Sequence, residues 1–215
     1  MKLLVFLLAC LAFSPLAALD VSSPTVFDHP VTRKDQAFLE TFRQVAYDGP
    51  WVADFTQTKQ IHGVNRTFRS SGTMFLQPGR GIVWNVLSPY PSVMVVGSSS
   101  IVQQLPGRKL SRIDFGDNPV FTQISRTIAL VLAGNLTELE ASFFLSFQQA
   151  GSEWTLALVP KTKEIASFVS SFVLAGNAQL ETVLMRERGG DSTRYEFSSI
   201  ERRSLKEDEL ACFSW

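Results

Sequence analysis

The chain contains 215 residues, 45% of them hydrophobic and 19% charged, and its 20 Lys and Arg residues balance its 20 Asp and Glu residues. This length supports one substantial domain with its own core rather than two. The balanced charge argues against a nucleic-acid partner, because proteins that bind phosphate backbones need a basic stripe.

The N-terminus has the pattern of a secretory signal peptide. Met1-Lys2 precedes an almost purely apolar stretch, Leu3–Leu11, and small residues follow it. Such a segment is too short to span a bilayer. We therefore expect residues 1–18 to be cleaved, residues 19–31 to form an N-terminal arm and residues 32–215 to form a single domain of an exported protein.

The two cysteines lie at opposite ends of the chain. The segment Leu7–Cys10 resembles a lipobox, which would make the protein a lipoprotein, but cleavage there would leave an unusually short signal. With Cys10 removed, Cys212 is the remaining thiol and no internal disulfide forms. We interpret Cys212 as a small apolar residue of the core.

The spacing of apolar residues predicts first a helix and then strands. A helix is expected from an N-cap at Thr32 to Tyr47, because Phe38, Phe42 and Val45 fall on one face. Beyond it, apolar residues recur at every second position between turn signals, which is typical of strands. The predicted strands cover residues 51–61, 68–77, 82–87, 93–96, 101–105, 110–115, 143–149, 154–159, 168–174, 180–188 and 193–200.

A second helix is predicted at Asp117–Ala133, between two sets of strands, because its apolar residues repeat at helical spacing. Its last turns, 128–133, are apolar nearly all round, so they need protein on both sides or an apolar ligand. The predicted fold class is α+β, with a large antiparallel sheet of about ten or eleven strands. Near the C-terminus, Arg202-Arg203 is surrounded by acidic residues, and we interpret it as a solvated face.

Signals of enzymatic chemistry are absent from the sequence. His29 and His62 are not paired with other ligands at metal spacing. Gly79–Gly81 and Gly97–Ser100 each lead into a strand, so we interpret them as turns rather than as a phosphate-binding loop and a nucleophile elbow. We therefore predict no catalytic residue, no metal site and no cofactor.

One ordered set of motifs points to a family. Phe55–Lys59 reads F-T-Q-x-K, Ser71-Gly72 and Pro78–Gly81 follow it, and Trp84 comes next at a fixed spacing. This order resembles the periplasmic outer-membrane lipoprotein carriers of LolA type, over about Phe38–Phe197. Within them it is most similar to a divergent branch that accompanies lipid and aryl-polyene biosynthesis.

This resemblance implies an incomplete, unclosed β-barrel whose helices form a lid, with space between them for acyl chains. It also implies a periplasmic monomer that carries an acylated lipoprotein or another lipid from an inner-membrane donor complex to an outer-membrane acceptor. Such a carrier is physically needed, because each methylene kept from water is worth about 0.8 kcal/mol and a multi-acyl lipid does not leave a membrane unaided.

Alternation and resemblance together predict which side chains line the lipid cavity, on a concave side of the sheet that we expect to be partly unfilled. On the sheet they are Phe55, Met74, Leu76, Ile82 and Trp84, and on the lid they are Phe121, Ile124 and Ile128. Taken alone, any one of these residues is more often an ordinary core residue.

The lid latch is the point of departure from the family pattern. The better-known carriers place an Arg directly before the Pro that ends the second strand, where it bonds to helix carbonyls. Here Gln77 precedes Pro78, and the nearest Arg is Arg80. Either Arg80 replaces that Arg, or the lid is weaker and the cargo is a glycolipid, a polyene lipid or a free acyl chain.

Two other functions stay open at this point. A periplasmic regulator of an envelope-stress pathway shares the architecture, so the chain could sense lipid instead of carrying it. The protein could also be a structural envelope component with a fully packed core and no ligand.

Overall fold

The structure is a computed structural model, and it describes residues 24–32, 35–47, 49–64, 66–97, 100–113 and 119–214. The predicted signal peptide, with Cys10, and the first part of the predicted arm lie outside the described residues.

The centre of the protein is one antiparallel sheet. Its strands are β1 (Trp51–Gln60), β2 (Thr67–Gln77), β3 (Gly81–Ser88), β4 (Ser92–Val96), β5 (Ile101–Gln104), β6 (Ser111–Ile113), β7 (Phe143–Ala150), β8 (Glu153–Pro160), β9 (Val169–Gly176), β10 (Leu180–Glu187) and β11 (Ser192–Arg202). The order across the sheet is β6-β5-β4-β3-β2-β1-β11-β10-β9-β8-β7. Because β6 and β7 are the two ends of this order and do not pair with each other, the barrel is not closed, as predicted.

The helices are α1 (Gln36–Val45), α2 (Pro119–Leu132), α3 (Leu136–Ser142), α4 (Lys163–Ala166) and α5 (Glu207–Ala211). The N-cap of α1 is Asp35 and not Thr32, because the Asp35 carboxylate accepts the N–H of Phe38 at 3.1 Å. Helix α3 was not predicted, although the Asn135 side chain caps it by accepting the N–H of Glu138 at 3.1 Å.

The sheet curls strongly around one face. Trp84 on β3 and Tyr195 on β11 are separated by two intervening strands, which corresponds to about 14 Å in a flat sheet. Their ring centroids are nevertheless 4.9 Å apart. The concave face therefore encloses a narrow space, and α1 and α2 pack into it.

Residues from both ends of the chain pack on the convex face. The 3₁₀ helix Pro24–Asp28 lies on one half, where Val26 packs in a buried cluster with Val173. On the other half, the ring centroid of Phe213 lies 6.2 Å from that of Phe75. Residues of the predicted arm thus pack on the same body as the strands.

The C-terminal segment is tied to the sheet by ion pairing and packing. Arg203 contacts Glu209 through both ends of the guanidinium, with Nη2–Oε1 at 2.7 Å and Nη1–Oε2 at 2.8 Å. Cys212 packs half-buried against the convex cluster, and this burial raises the pKa of its thiol. Arg202 is exposed, in agreement with the interpretation as a solvated face, and Arg203 is half-buried between the acidic residues Glu201 and Glu209.

A close strand approach explains the glycine of the Ser71-Gly72 motif. The register between β2 and β3 shifts between Ser71 and Gly72. A Cβ atom at Gly72 would lie 2.0 Å from the carbonyl oxygen of Asn85. Only glycine permits this contact, so the motif reflects the geometry of the sheet.

Candidate functional site

Three aromatic side chains form the centre of the concave face. The ring centroids of Phe55 and Trp84 are 5.2 Å apart, and those of Phe55 and Tyr195 are 6.4 Å apart. All three are almost fully buried. Burial, reinforced by the charge of Glu187, raises the pKa of the Tyr195 phenol, so this ring stays neutral at physiological pH.

Helix α2 lies directly over these rings. The indole N–H of Trp84 donates to the hydroxyl of Ser125 at 2.9 Å, and this bond joins the sheet to the helix within the core. The four buried aliphatic side chains of α2 belong to the same cluster: Ile124, Ile128, Val131 and Leu132. Apolar residues of the last turns of α2 therefore pack against protein on the concave face.

The structure brings the predicted lining residues together. Seven of the predicted residues belong to one buried apolar cluster on the concave face, which we call the concave cluster: Phe55, Met74, Leu76, Ile82, Trp84, Ile124 and Ile128. Phe121 lies in the first turn of α2, and its side chain is outside the described residues. The cluster also contains Phe38 and Phe42 of α1, whose helical spacing is visible in the sequence but was not connected with the site.

The concave side was expected to be partly unfilled, and in the described part of the chain it is filled. A cavity of about 10 Å³ lies there, at the junction of α1, α2, β7 and β8. An apolar cavity of about 150 Å³ is needed to hold one benzene ring. Among the described residues, the side chains of α1 and α2 therefore cover the concave face.

The predicted latch residues lie at the turn between β2 and β3. Arg80 is exposed, and its backbone N–H donates to the carbonyl of Gln77 at 3.0 Å. The latch role of Arg80 and Gln77 stays a prediction.

A different arginine contacts helix carbonyls. Arg202, on β11, donates through Nη2 to the carbonyls of Val45 at 3.3 Å and Gln44 at 3.5 Å, at the C-terminal end of α1. Its guanidinium also lies 5.1 Å from the ring centroid of Tyr47. A cation is favourable at a helix C-terminus, where carbonyls lack partners within the helix.

The chain can be placed in a family at this point. The family model described as outer membrane lipoprotein carrier protein LolA matches residues 51–211, which contain every strand and all helices except α1.

The chain belongs to this LolA family.

The chain is also similar to individual proteins. An outer-membrane lipoprotein carrier protein of Chromohalobacter salexigens is 29% identical over 152 residues, which make up 70% of each chain. A LolA superfamily protein of Nitrosomonas europaea is a structural neighbour with a TM-score of 0.46 and 9% identity, covering 80% of this chain and 95% of that one. A chain of the MucA/MucB complex of Pseudomonas aeruginosa has a TM-score of 0.37 and 14% identity, with 80% and 59% coverage.

One residue of the F-T-Q-x-K motif has a clear structural role in this LolA-family chain. The ammonium group of Lys59 lies 3.1 Å from Glu187 Oε1 and 3.6 Å from Asp191 Oδ2. Because these acids flank the turn between β10 and β11, the motif joins the two halves of the sheet at β1.

A surface groove leads toward the buried concave cluster. It has a volume of about 350 Å³ and lies between α2 and helix α4, with Phe168 among its lining residues. Phe143 lines the groove and also belongs to the buried cluster. The groove therefore reaches one residue of the concave cluster from solvent.

No group of three or more His, Cys, Asp or Glu side chains suited to holding a metal occurs among the described residues. No helix in that same part of the chain is long and apolar enough to cross a membrane.

Proposed function

We propose that this protein is a periplasmic carrier that holds the acyl chains of a lipoprotein or another lipid beneath α2. The single observation that carries this proposal is the apolar helix α2 seated on an aromatic concave face, beside a groove that reaches Phe143. In the free protein, the side chains of α2 take the place of the cargo. Loading then requires α2 to move away from Trp84.

The energies of this exchange are of similar size. Full burial of one aliphatic side chain contributes about 1.5–3 kcal/mol, so the four buried residues of α2 hold it with about 6–12 kcal/mol. An acyl chain of about 14 methylenes gains about 11 kcal/mol when it leaves water. Because the two terms nearly balance, cargo can be taken up and released without an extreme affinity, as a carrier requires.

The remaining parts of the proposal concern export and partners. Residues 1–18 would direct the chain to the periplasm and be removed, residues 19–31 would form the arm, and residues 32–215 would form the lipid-binding domain. A monomer would receive lipid from an inner-membrane donor and deliver it to an outer-membrane acceptor, without catalysis or a cofactor. Assignment to the branch that accompanies lipid and aryl-polyene biosynthesis stays a prediction.

A photoreactive fatty acid tests where the lipid binds. The mature protein would be incubated with a diazirine-labelled fatty acid, irradiated and mapped by mass spectrometry. We expect labels on peptides that contain Phe55, Trp84 and Ile128, and competition by unlabelled fatty acid. Labels confined to the convex face would refute the proposed site.

Native mass spectrometry of protein taken from its own periplasm tests carriage itself. Co-purified acyl lipid supports a lipid-binding role and would reveal the cargo class. Transfer of that lipid to acceptor vesicles supports carriage, and bound lipid without transfer favours the sensing role. A protein that is lipid-free and takes up no fatty acid favours the structural role.

A further inference from the structure

Five strand connections gather at one end of the sheet. They join β1 to β2, β3 to β4, β5 to β6, β8 to β9 and β10 to β11, and their described residues are 61–64, 66, 89–91, 105–110, 161–168 and 188–191. We call this end the tip end. The groove beside α2 opens there, because Phe168 and α4 belong to the connection between β8 and β9.

The exposed large apolar side chains of the described residues are concentrated at this tip end. Seven of the eight lie within these connections or within two residues of them: Val64, Phe68, Leu87, Tyr90, Leu110, Val159 and Phe168. The eighth, Phe144 on β7, pairs with Val159 in the register of β7 and β8. Tyr90 is 83% exposed and Leu87 is 58% exposed. Exposed apolar residues that are scattered need no explanation, but their confinement to one end indicates an interaction surface.

The same end carries an excess of positive charge, although the whole chain is neutral. The exposed basic residues of the connections are Arg66, Arg108, Lys109, Lys161, Lys163 and Arg188. The acidic residues there are Glu164 and Asp191, and Asp191 is already paired with Lys59 at 3.6 Å. An anionic surface is therefore attracted to the tip end.

Basic and aromatic groups are also placed side by side. The Arg66 guanidinium lies 5.9 Å from the ring centroid of Phe68, and the Lys161 ammonium lies 5.0 Å from that of Phe144. Aromatic rings settle at the level of lipid headgroups, while Lys and Arg contact anionic phosphates. The exposed apolar side chains come from connections that span nearly the whole width of the sheet, from β5 near one edge to β8 near the other. They therefore suit a broad planar surface better than a single narrow peptide.

We propose that the tip end docks on the surface of an anionic bilayer, with Leu87, Tyr90 and Phe68 entering the interface and the basic residues contacting lipid phosphates. The docking does not depend on the carrier function. Where that function also holds, docking places the groove beside α2 against the membrane.

Vesicle co-sedimentation of the mature protein tests the proposal. We expect at least about tenfold stronger binding to vesicles that contain phosphatidylglycerol than to pure phosphatidylcholine vesicles, since each Lys or Arg near an anionic surface strengthens binding about fivefold. The preference should fall when the salt concentration rises from about 0.1 M to 1 M, because the screening length shortens from about 10 Å to 3 Å.

Two variants separate the apolar and the electrostatic parts. The double substitution Leu87→Ser with Tyr90→Ser should weaken binding to anionic vesicles at least about tenfold by removing the apolar insertion. The double substitution Arg108→Gln with Lys109→Gln should weaken it about twenty-five-fold, following the same fivefold step for each charge. Arg80→Gln removes an exposed charge from the opposite end of the sheet and should leave binding unchanged.

The outcomes are decisive in both directions. Absence of binding to anionic vesicles, or equal binding by Leu87→Ser/Tyr90→Ser and wild type, would overturn the proposal and assign the tip end to a protein partner. Because the substituted residues lie outside the concave cluster, uptake of a fatty-acid probe should be unchanged in these variants. Failure of wild type to take up that probe would refute the carrier function and leave the docking result intact.

Discussion

Trp84 of β3 and Ser125 of α2 form a buried hydrogen bond of 2.9 Å between the sheet and the helix that covers it. If the proposed carrier function holds, loading must break this bond. Ser125 is also one of the polar residues buried on an otherwise apolar helix face. The bond therefore attaches α2 to the sheet at one defined point.

Replacement of Ser125 by Ala should loosen α2. The buried Trp84 indole would lose its Ser125 acceptor, which costs about 1–3 kcal/mol in the free energy of unfolding. Urea denaturation should show this loss, and hydrogen exchange should accelerate in α2. Ser198→Ala, at an exposed position on β11, is the matched control and should change neither measurement. Unchanged exchange in α2 of the Ser125 variant would contradict this prediction.

Replacement of Arg202 by Gln should release the C-terminal end of α1. The change removes a charge from the carbonyls of Gln44 and Val45 and from the Tyr47 ring, with a cost of about 1 kcal/mol. Hydrogen exchange at the end of α1 should accelerate.

Arg80→Gln is the comparison for this experiment, because Arg80 is the residue predicted as a latch from the sequence. If hydrogen exchange in the helices accelerates in the Arg80 variant and does not change in the Arg202 variant, the latch is Arg80.

Replacement of Gly72 by Ala should destabilise the sheet. The new Cβ atom would lie 2.0 Å from the Asn85 carbonyl oxygen, so β2 and β3 must move apart at a cost of about 3 kcal/mol. Gly189→Ala is the control, because a Cβ atom there meets nothing within 4 Å. Equal urea midpoints for the two variants would show that the strand contact is not tight.

The Arg203 and Glu209 pair should make the C-terminal segment sensitive to acid. Hydrogen bonding from Arg203 lowers the pKa of the Glu209 carboxyl below its ordinary value. The pair therefore stabilises the fold above the ordinary carboxyl pKa of about 4.3, and this contribution is lost as the pH falls through the lowered pKa.

Comparison of wild type with Glu209→Gln measures this contribution. Because the pair is partly exposed, the free energy of unfolding of wild type should exceed that of the variant by about 1 kcal/mol or less at neutral pH. The difference should disappear in strong acid, as judged by urea denaturation and by hydrogen exchange in α5. A difference that does not depend on pH would mean that the charge of Glu209 has no role.

The packing of α1 and α2 on the concave face could not have been predicted from the sequence. Alternation identifies Phe55 and Trp84 as residues of one apolar face, but it does not show how far the sheet curls. The distance between Trp84 and Tyr195 depends on the twist of four neighbouring strands. Whether α1 and α2 fill the concave side depends on this curvature and on side-chain volumes from both halves of the chain.

The contacts of Arg202 and the short helix α3 were not predictable for a related reason. Arg202 looks like a solvated charge in a local window, and its carbonyl partners lie 157 and 158 residues away along the chain. Helix α3 was missed because it has 7 residues, too few for a periodic pattern. Short elements and long-range polar contacts carry little local signal.

By itself, the sequence determined the antiparallel strands, the inserted helix and the α+β class, because a side-chain period of two or of 3.6 is a local property of the backbone. It also placed the ordered motifs that identify the family. Only the tertiary structure decided that α2 closes over Trp84, that Arg202 holds α1, and that the exposed apolar side chains meet at one end of the sheet. Those relationships join residues far apart in the chain, so they arise when the sheet curls and its connections are brought together.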